Sequence, residues 1–168
     1  MSSKKRREDI IKMLIKENKA IKGTELATLF GVTRQIIVKD IAILRAEGKN
    51  IIATPDGYIY NKDINKVKSI IAVNHGSNKT IEELEIVVKY GGIIEDVIIE
   101  HPLYGEIRGN LMIKNLNDLN KFESAFKNKN VKPLSDLTEG IHLHTIAADN
   151  QDDIDSIKRE LDEKGFLL

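Results

Sequence analysis

The segment GTELATLFGVTRQIIVKDIAILRAEG, residues 23–48, confines the start of this chain to few folds. Its apolar residues fall at helical spacing in two blocks that Gly31 separates, and a glycine there supplies the left-handed turn that ends a helix. Thr24 is placed to cap a short helix that buries Leu26, Ala27 and Phe30. Thr33 caps the next, in which Ile37, Ile41 and Leu44 form the inward stripe and Gly48 marks the end. Upstream, Ile10, Ile11, Leu14 and Ile15 make one face of a helix within Lys5–Asn18. Helix, short helix, tight turn and longer helix is the helix-turn-helix arrangement, whose last helix presents its amino-terminal end to base edges of double-stranded DNA. Here that end carries Thr33, Arg34, Gln35, Val38 and Lys39. Arginine can bind guanine and glutamine adenine through paired hydrogen bonds, and valine can meet a thymine methyl. The following NIIATPDGYIY sets two β-rich runs around Pro55, Asp56 and Gly57, which predicts a hairpin in the position of a wing.

Charge divides the chain in the same way. The 168 residues have a formal net charge of zero, but residues 1–62 hold 13 Lys+Arg against 7 Asp+Glu, a net +6, and residues 63–168 hold 13 against 19, a net −6. We therefore expect two domains, 1–62 for DNA and 63–168 for another task. Lys4, Lys5, Arg6, Arg7, Lys39 and Lys49 are the expected phosphate contacts. Taken singly, these features also fit a small three-helix bundle with a solvated charge run; their joint occurrence favours DNA. The absence of cysteine excludes disulfides and thiolate sites, so a metal here needs histidine and oxygen ligands. No apolar run nears the roughly 20 residues that span a bilayer, and MSSKKRRED leads into no signal-peptide core, so a cytoplasmic protein without membrane association is expected.

From Asn65 the periodicity changes. KVKSIIAVNH, IIEDVIIEH, YGEIRGNLMI and EGIHLHTIA read as strands, and TIEELEIVVKY, LNDLNKFESAFKN and DDIDSIKRELDEKG as helices. In the helices Ile81, Leu84 and Val88, then Leu116, Leu119, Phe122 and Phe126, are the inward positions. The order βαββαβα suggests a ferredoxin-like split βαβ sandwich with helices on one face of an antiparallel sheet. The whole chain is then α+β, an N-terminal winged helix-turn-helix plus a C-terminal sandwich.

All four histidines, His75, His101, His142 and His144, lie in the acidic part. Side chains alternate along a strand, so His142 and His144 share one face and can converge on an ion; a pair of surface or hydrogen-bonded histidines is the alternative. His75 follows the first strand and Glu83 begins the next helix, where both can face one end of the sheet. Thr80 and Glu83 also have the spacing of a capping box, and His75 can equally be a loop histidine. His101, Tyr104 and Arg108 in HPLYGEIR form a second cluster, which reads either as pocket residues or as an ordinary strand-turn-strand.

Two resemblances bear on these alternatives. GVTRQIIVKDIAILRAEG resembles the winged helix-turn-helix of biotin-repressor-like bacterial regulators. AVNHGSN, DVIIEHPLYGEI and GIHLHT resemble the three-histidine, or 3H, domain of niacin-responsive repressors, and the two matches together span nearly the whole chain. The resemblance implies a repressor of genes for NAD biosynthesis or niacin uptake, not an enzyme. It implies a metal site on His75, Glu83, His142 and His144; if HPLYGEIR supplies pocket residues, His101 and Tyr104 lie near the effector and Arg108 is a carboxylate partner. Imidazole and carboxylate suit one divalent transition metal per chain, zinc, nickel or iron, over calcium or magnesium. The expected effector is nicotinic acid, and the expected partner is operator DNA, bound by a homodimer. A repressor that responds to the metal itself, or a metal-dependent hydrolase tethered to DNA, would use the same ligands, although no motif such as HExxH points to catalysis.

Overall fold

In the computed structural model, which describes residues 2–63, 65–128 and 130–168, Ser2 opens the first helix by accepting the Lys5 N–H on its hydroxyl. Helix α1, Ser3–Lys16, buries Ile10 and Leu14 and leaves Ile15 outside, a narrower stripe than the sequence pattern. Helix α2 is Gly23–Phe30 and helix α3 is Arg34–Ala46. Gly31 ends α2 in the left-handed conformation, and the Thr33 hydroxyl accepts the Ile36 N–H to start α3. Thr24 does not cap α2. Ile21 exchanges two backbone hydrogen bonds of 2.9 Å with Tyr58, which brings the chain into the helix at Lys22 and leaves Thr24 within the first turn.

Strands β1, Ile51–Thr54, and β2, Gly57–Tyr60, form the expected hairpin around Pro55 and Asp56. Gly57 has φ 132°, and a β-carbon there would stand 2.4 Å from the Ile21 carbonyl oxygen. Only glycine permits the hairpin to come this close to the chain ahead of α2. Ile10, Leu14, Ile21, Leu26, Ala27, Ile37, Ile41, Leu44 and Ile51 make the core of this unit. One ion pair is set into its edge: Arg6 Nε lies 2.6 Å from Asp40 Oδ2, with side chains 11% and 3% exposed, and Arg7 approaches the other oxygen at 3.5 Å.

The chain divides into two compact units, Met1–Ile64 and Asn65–Leu168. The second contains β3, Val67–Asn74; α4, Thr80–Lys89; β4, Ile93–His101; β5, Gly105–Ile113; α5, Leu116–Asn128; β6, Ile141–Ala148; and α6, Gln151–Glu163. Its antiparallel sheet has the order β3-β6-β4-β5. Strands β3 and β4 run parallel with β6 between them, and β5 and β6 run parallel with β4 between them, so two split βαβ units interleave. Within the α+β class this is a particular permutation: the second and fourth strands are central, where a ferredoxin sheet has the first and third.

Ile71, Val73, Ile94, Ile113 and Ile146 face Leu84, Val87, Leu119, Ile154, Ile157 and Leu161 of the helices across one apolar layer. Leu116, expected inside, is 58% exposed because it is the first residue of α5; Asn115 Oδ1 accepts the Asp118 N–H there and fixes the start. The outer edge of β3 is closed by the last residues, through Asn74 N–H to Phe166 O and Leu168 N–H to Ala72 O, both 3.0 Å.

Replacing Asp40 by alanine strands the Arg6 charge in the core edge, and a buried pair broken on one side costs about 3–5 kcal/mol. Denaturant unfolding of Asp40→Ala should show the amino-terminal unit melting first by that margin, whereas an unchanged midpoint would refute the structural weight given to the pair.

Candidate metal centre and nucleic-acid interface

Helix α3 turns Ile37, Asp40, Ile41 and Leu44 inward, which leaves its other face to solvent. Thr33, Arg34, Gln35 and Lys39 are exposed there, and Val38 is half-buried. Arg34 and Lys39 have no ion-pair partner among the described residues. The hairpin IIATPDGYIY contributes Asp56 and no lysine or arginine, so positive charge in this unit comes from the helices and from loop lysines such as Lys49. Arg6 is a correction to the expected phosphate contacts: Asp40 holds it in the core edge, and it ties α1 to α3 instead. Lys5 is paired with Asp9 one turn along its own helix.

In the second unit the register Val73↔His142 and Ile71↔His144 puts both imidazoles on the helix-covered face of the sheet. His75 leaves the end of β3, and Glu83 projects from the first turn of α4. These four residues, among the least exposed polar groups described, meet. His75 Nε2 is 2.5 Å from Glu83 Oε2, His142 Nε2 is 3.5 Å from the same oxygen, and His144 Nε2 is 3.3 Å from Glu83 Oε1. Ligand atoms of His75, Glu83 and His142 all lie within 4.8 Å of one another. The capping-box alternative for Glu83 is not realised, since no side chain caps α4 and the carboxylate points to the imidazoles.

Each histidine is held by its other nitrogen. His75 Nδ1 lies 2.8 Å from the Gly76 carbonyl, His142 Nδ1 2.8 Å from the Gly140 carbonyl and His144 Nδ1 2.5 Å from the Asp96 carbonyl. A carbonyl only accepts, so each Nδ1 carries a proton and each Nε2 turns toward the carboxylate, where it shares a proton with Glu83 or, once deprotonated, presents a lone pair. Electron pairs facing a buried anion call for a cation. Glu83 Oε1 and His144 Nε2 have no hydrogen-bond partner, and imidazoles fixed through Nδ1–H to carbonyls are the usual support of metal ligands. The residues present therefore fit a divalent transition metal: His75, Glu83 and His142 could hold it together, with His144 facing the other carboxylate oxygen.

These four residues are legible in the sequence, but their supports are not. Gly140 has φ 95°, and a β-carbon on it would stand 2.6 Å from the His75 carbonyl oxygen. A glycine just before the His-x-His strand was the available signal. Phe166 packs edge-on against His75 with ring centroids 5.4 Å apart, and nothing local announced it.

The second cluster is split. His101 Nδ1 accepts the N–H groups of Leu103 and Tyr104, bracing the β4–β5 turn, where Tyr104 is exposed. Arg108 pairs with Ile98, and Ile98 with Leu143, which puts it on the sheet face opposite His142 and His144. Its guanidinium binds Asp96 and Glu106.

Burial opposes charge on His75 and His144, but their contacts with Glu83 and its negative charge outweigh it and raise both pKa values. Burial likewise opposes ionisation of Glu83, yet the imidazoles of His142, His144 and His75 in contact with it hold it well below the usual carboxylate range. For metal-free protein the raised histidine values mean stability that is full below the ordinary 6.5 and lost as pH rises through the folded values. The Glu83 contribution is present above its ordinary 4.5 and lost as pH falls through its depressed value. Calorimetry of chelator-treated protein should therefore show Tm declining above neutral pH, and added metal should abolish the decline, because deprotonated imidazoles bind it better. A metal-free Tm that is flat or rises over that range would contradict the proton-linked cluster.

Comparison with known proteins agrees with this division. An HTH domain family matches residues 6–59, and the 3H domain family matches residues 68–168. A protein of Thermotoga maritima named as a probable transcription repressor NiaR is 42% identical over 163 residues, 97% of this chain and 93% of that protein. The transcription repressor NadR of Bacillus subtilis is 37% identical over 167 residues, 96% of this chain and 93% of its own. An uncharacterized protein of Methanothermus fervidus is 32% identical over 108 residues, 59% of this chain and 17% of that protein. Both relatives are named as transcription repressors, the first as a probable one, and neither as an enzyme; in this chain no described helix is long and apolar enough to cross a membrane. The chain belongs to the 3H-domain family, as a transcription repressor that joins an amino-terminal DNA-binding HTH domain to a carboxy-terminal 3H domain.

Proposed function

We propose that this repressor senses nicotinic acid through a 3H domain that holds one divalent transition metal, nickel, zinc or iron, and controls genes of NAD biosynthesis or niacin uptake in the cytoplasm. The observation that carries the reading is the set of three Nε2 atoms directed at one buried carboxylate. A bound cation supplies an electrophilic anchor for a pyridine nitrogen or a carboxylate. The chain's own groups do the rest: backbone carbonyls orient the three rings, Glu83 balances charge, and the apolar layer around them excludes water. His101 and Tyr104, reached along the same sheet face as His142 and His144, are the proposed effector contacts, while Arg108 is turned to the other face. Nicotinate as effector rests on the family resemblance.

On the DNA side, Arg34 and Gln35 are the proposed base readers, with Val38 against a thymine methyl and Thr33 and Lys39 against the backbone. The repressor acts as a homodimer on a near-palindromic operator, with two α3 helices in successive major grooves. An effector acts only by binding the competent state more tightly, so nicotinate and operator each strengthen binding of the other.

Gel-shift titration should show nicotinate tightening operator binding roughly tenfold, with the effect lost in the double variant His142→Ala/His144→Ala or after chelation. Operator affinity indifferent to nicotinate would reject effector sensing. Arg34→Ala should cost about 1–3 kcal/mol and relax preference at one base position, while Lys39→Ala should weaken all sequences alike and flatten the salt dependence. A uniform loss in Arg34→Ala would remove it from base reading.

A further inference from the structure

Opposite His144 and Thr145 the ladder between β4 and β6 is broken. The pairs Ile94↔Ile146 and Ile98↔Leu143 enclose one more residue on β4 than on β6, so β4 bulges there, and bulges redirect the groups at their centre. At this centre sits Asp96, 3% exposed, and it replaces the missing ladder bonds on both sides of the sheet. Its backbone carbonyl accepts His144 Nδ1–H at 2.5 Å, and its Oδ1 accepts the Thr145 N–H at 2.8 Å. Its Oδ2 binds Arg108 Nη1, whose guanidinium also donates to Glu106 at 3.0 Å and to Thr145 Oγ1 at 3.4 Å. Arg108 is 43% exposed on the face opposite the histidine cluster.

We infer that Asp96, clamped from the far face of the sheet by Arg108, is a positioning residue for the metal ligand His144. The inference rests on the proposed metal centre and extends it across the sheet. His144 must keep its proton on Nδ1 and its ring in one rotation for Nε2 to face Glu83, and the Asp96 carbonyl sets both. That carbonyl points at His144 only while the bulge keeps its shape. The Asp96 side chain pins the bulge to Thr145, and Arg108 supplies the positive charge that makes a nearly solvent-free carboxylate tolerable at that spot. Removing Arg108 leaves the carboxylate buried without its cation, which favours a rearranged bulge and a freed His144 ring.

The test measures zinc affinity of the full-length protein by competition with a chromophoric chelator, and the visible absorption of the cobalt(II)-loaded protein, for wild type, Arg108→Gln and Arg108→Lys. Loss of a group that supports a metal ligand weakens binding roughly 10–100-fold. Arg108→Gln should show a loss in that range with an altered cobalt spectrum, and Arg108→Lys, which keeps the charge beside Asp96, should recover most of both. Arg108 is half-exposed, so the variants should fold; a lower metal-free Tm with wild-type zinc affinity and cobalt spectrum would make Arg108 merely structural and overturn the inference. Asp96→Asn, which keeps an acceptor for Thr145 but loses the charge pair, should behave as Arg108→Gln does, and zinc affinity in it within about twofold of wild type would also overturn it. If wild type itself takes up neither metal, the metal centre fails and this role with it, an outcome separate from metal-competent variants that match wild type.

Discussion

Three imidazoles that each spend Nδ1–H on a backbone carbonyl have one nitrogen left, and here all three remaining nitrogens turn toward the carboxylate of Glu83. Burial strengthens every interaction among these groups and makes any unpaired one expensive. The cluster is stable with a cation at its centre, whether shared protons or a metal, and unstable without one. The surrounding architecture serves that constraint. The β3-β6 register brings His142 and His144 to the helix side, the left-handed Gly140 lets the His75 loop approach β6, and the β4 bulge offers His144 a carbonyl that a regular ladder would have used.

The amino-terminal unit solves a different problem with the same economy of groups. A recognition helix has to present polar residues outward from a rigid seat. Ile37, Ile41 and Leu44 provide apolar seating, and the Arg6–Asp40 pair locks α3 against α1 at the one inward position that is charged. The Ile21–Tyr58 bridge then fastens the hairpin to the chain ahead of α2, with Gly57 at the point of contact. Because the hairpin is acidic at its tip, electrostatic attraction to phosphate has to come from the helices and from loop lysines such as Lys49.

Local patterns revealed what local physics controls. Gly31, Thr33 and the Pro55-Asp56-Gly57 turn act within a few residues of themselves, and each appears where its sequence context put it. The two-residue alternation of GIHLHT placed His142 and His144 together for the same reason. What stayed hidden depends on partners far along the chain. Arg6 looked like a phosphate contact because its Asp40 partner is 34 residues away. Thr24 looked like a cap because the Tyr58 pairing that starts the helix earlier is equally remote. Arg108 looked like an effector residue because sequence spacing does not report a bulge that decides which face of the sheet it takes. The strand permutation is hidden likewise, since the element order βαββαβα is common to more than one sheet.

The sensing role of the carboxy-terminal unit depends on the four-residue cluster being a metal site. Equilibrium dialysis of chelator-stripped, full-length protein against nickel and zinc should saturate at one ion per chain, with Glu83→Gln and His142→Ala each losing affinity by at least about tenfold. Absence of a saturable site, or undiminished binding in those two variants, would contradict it.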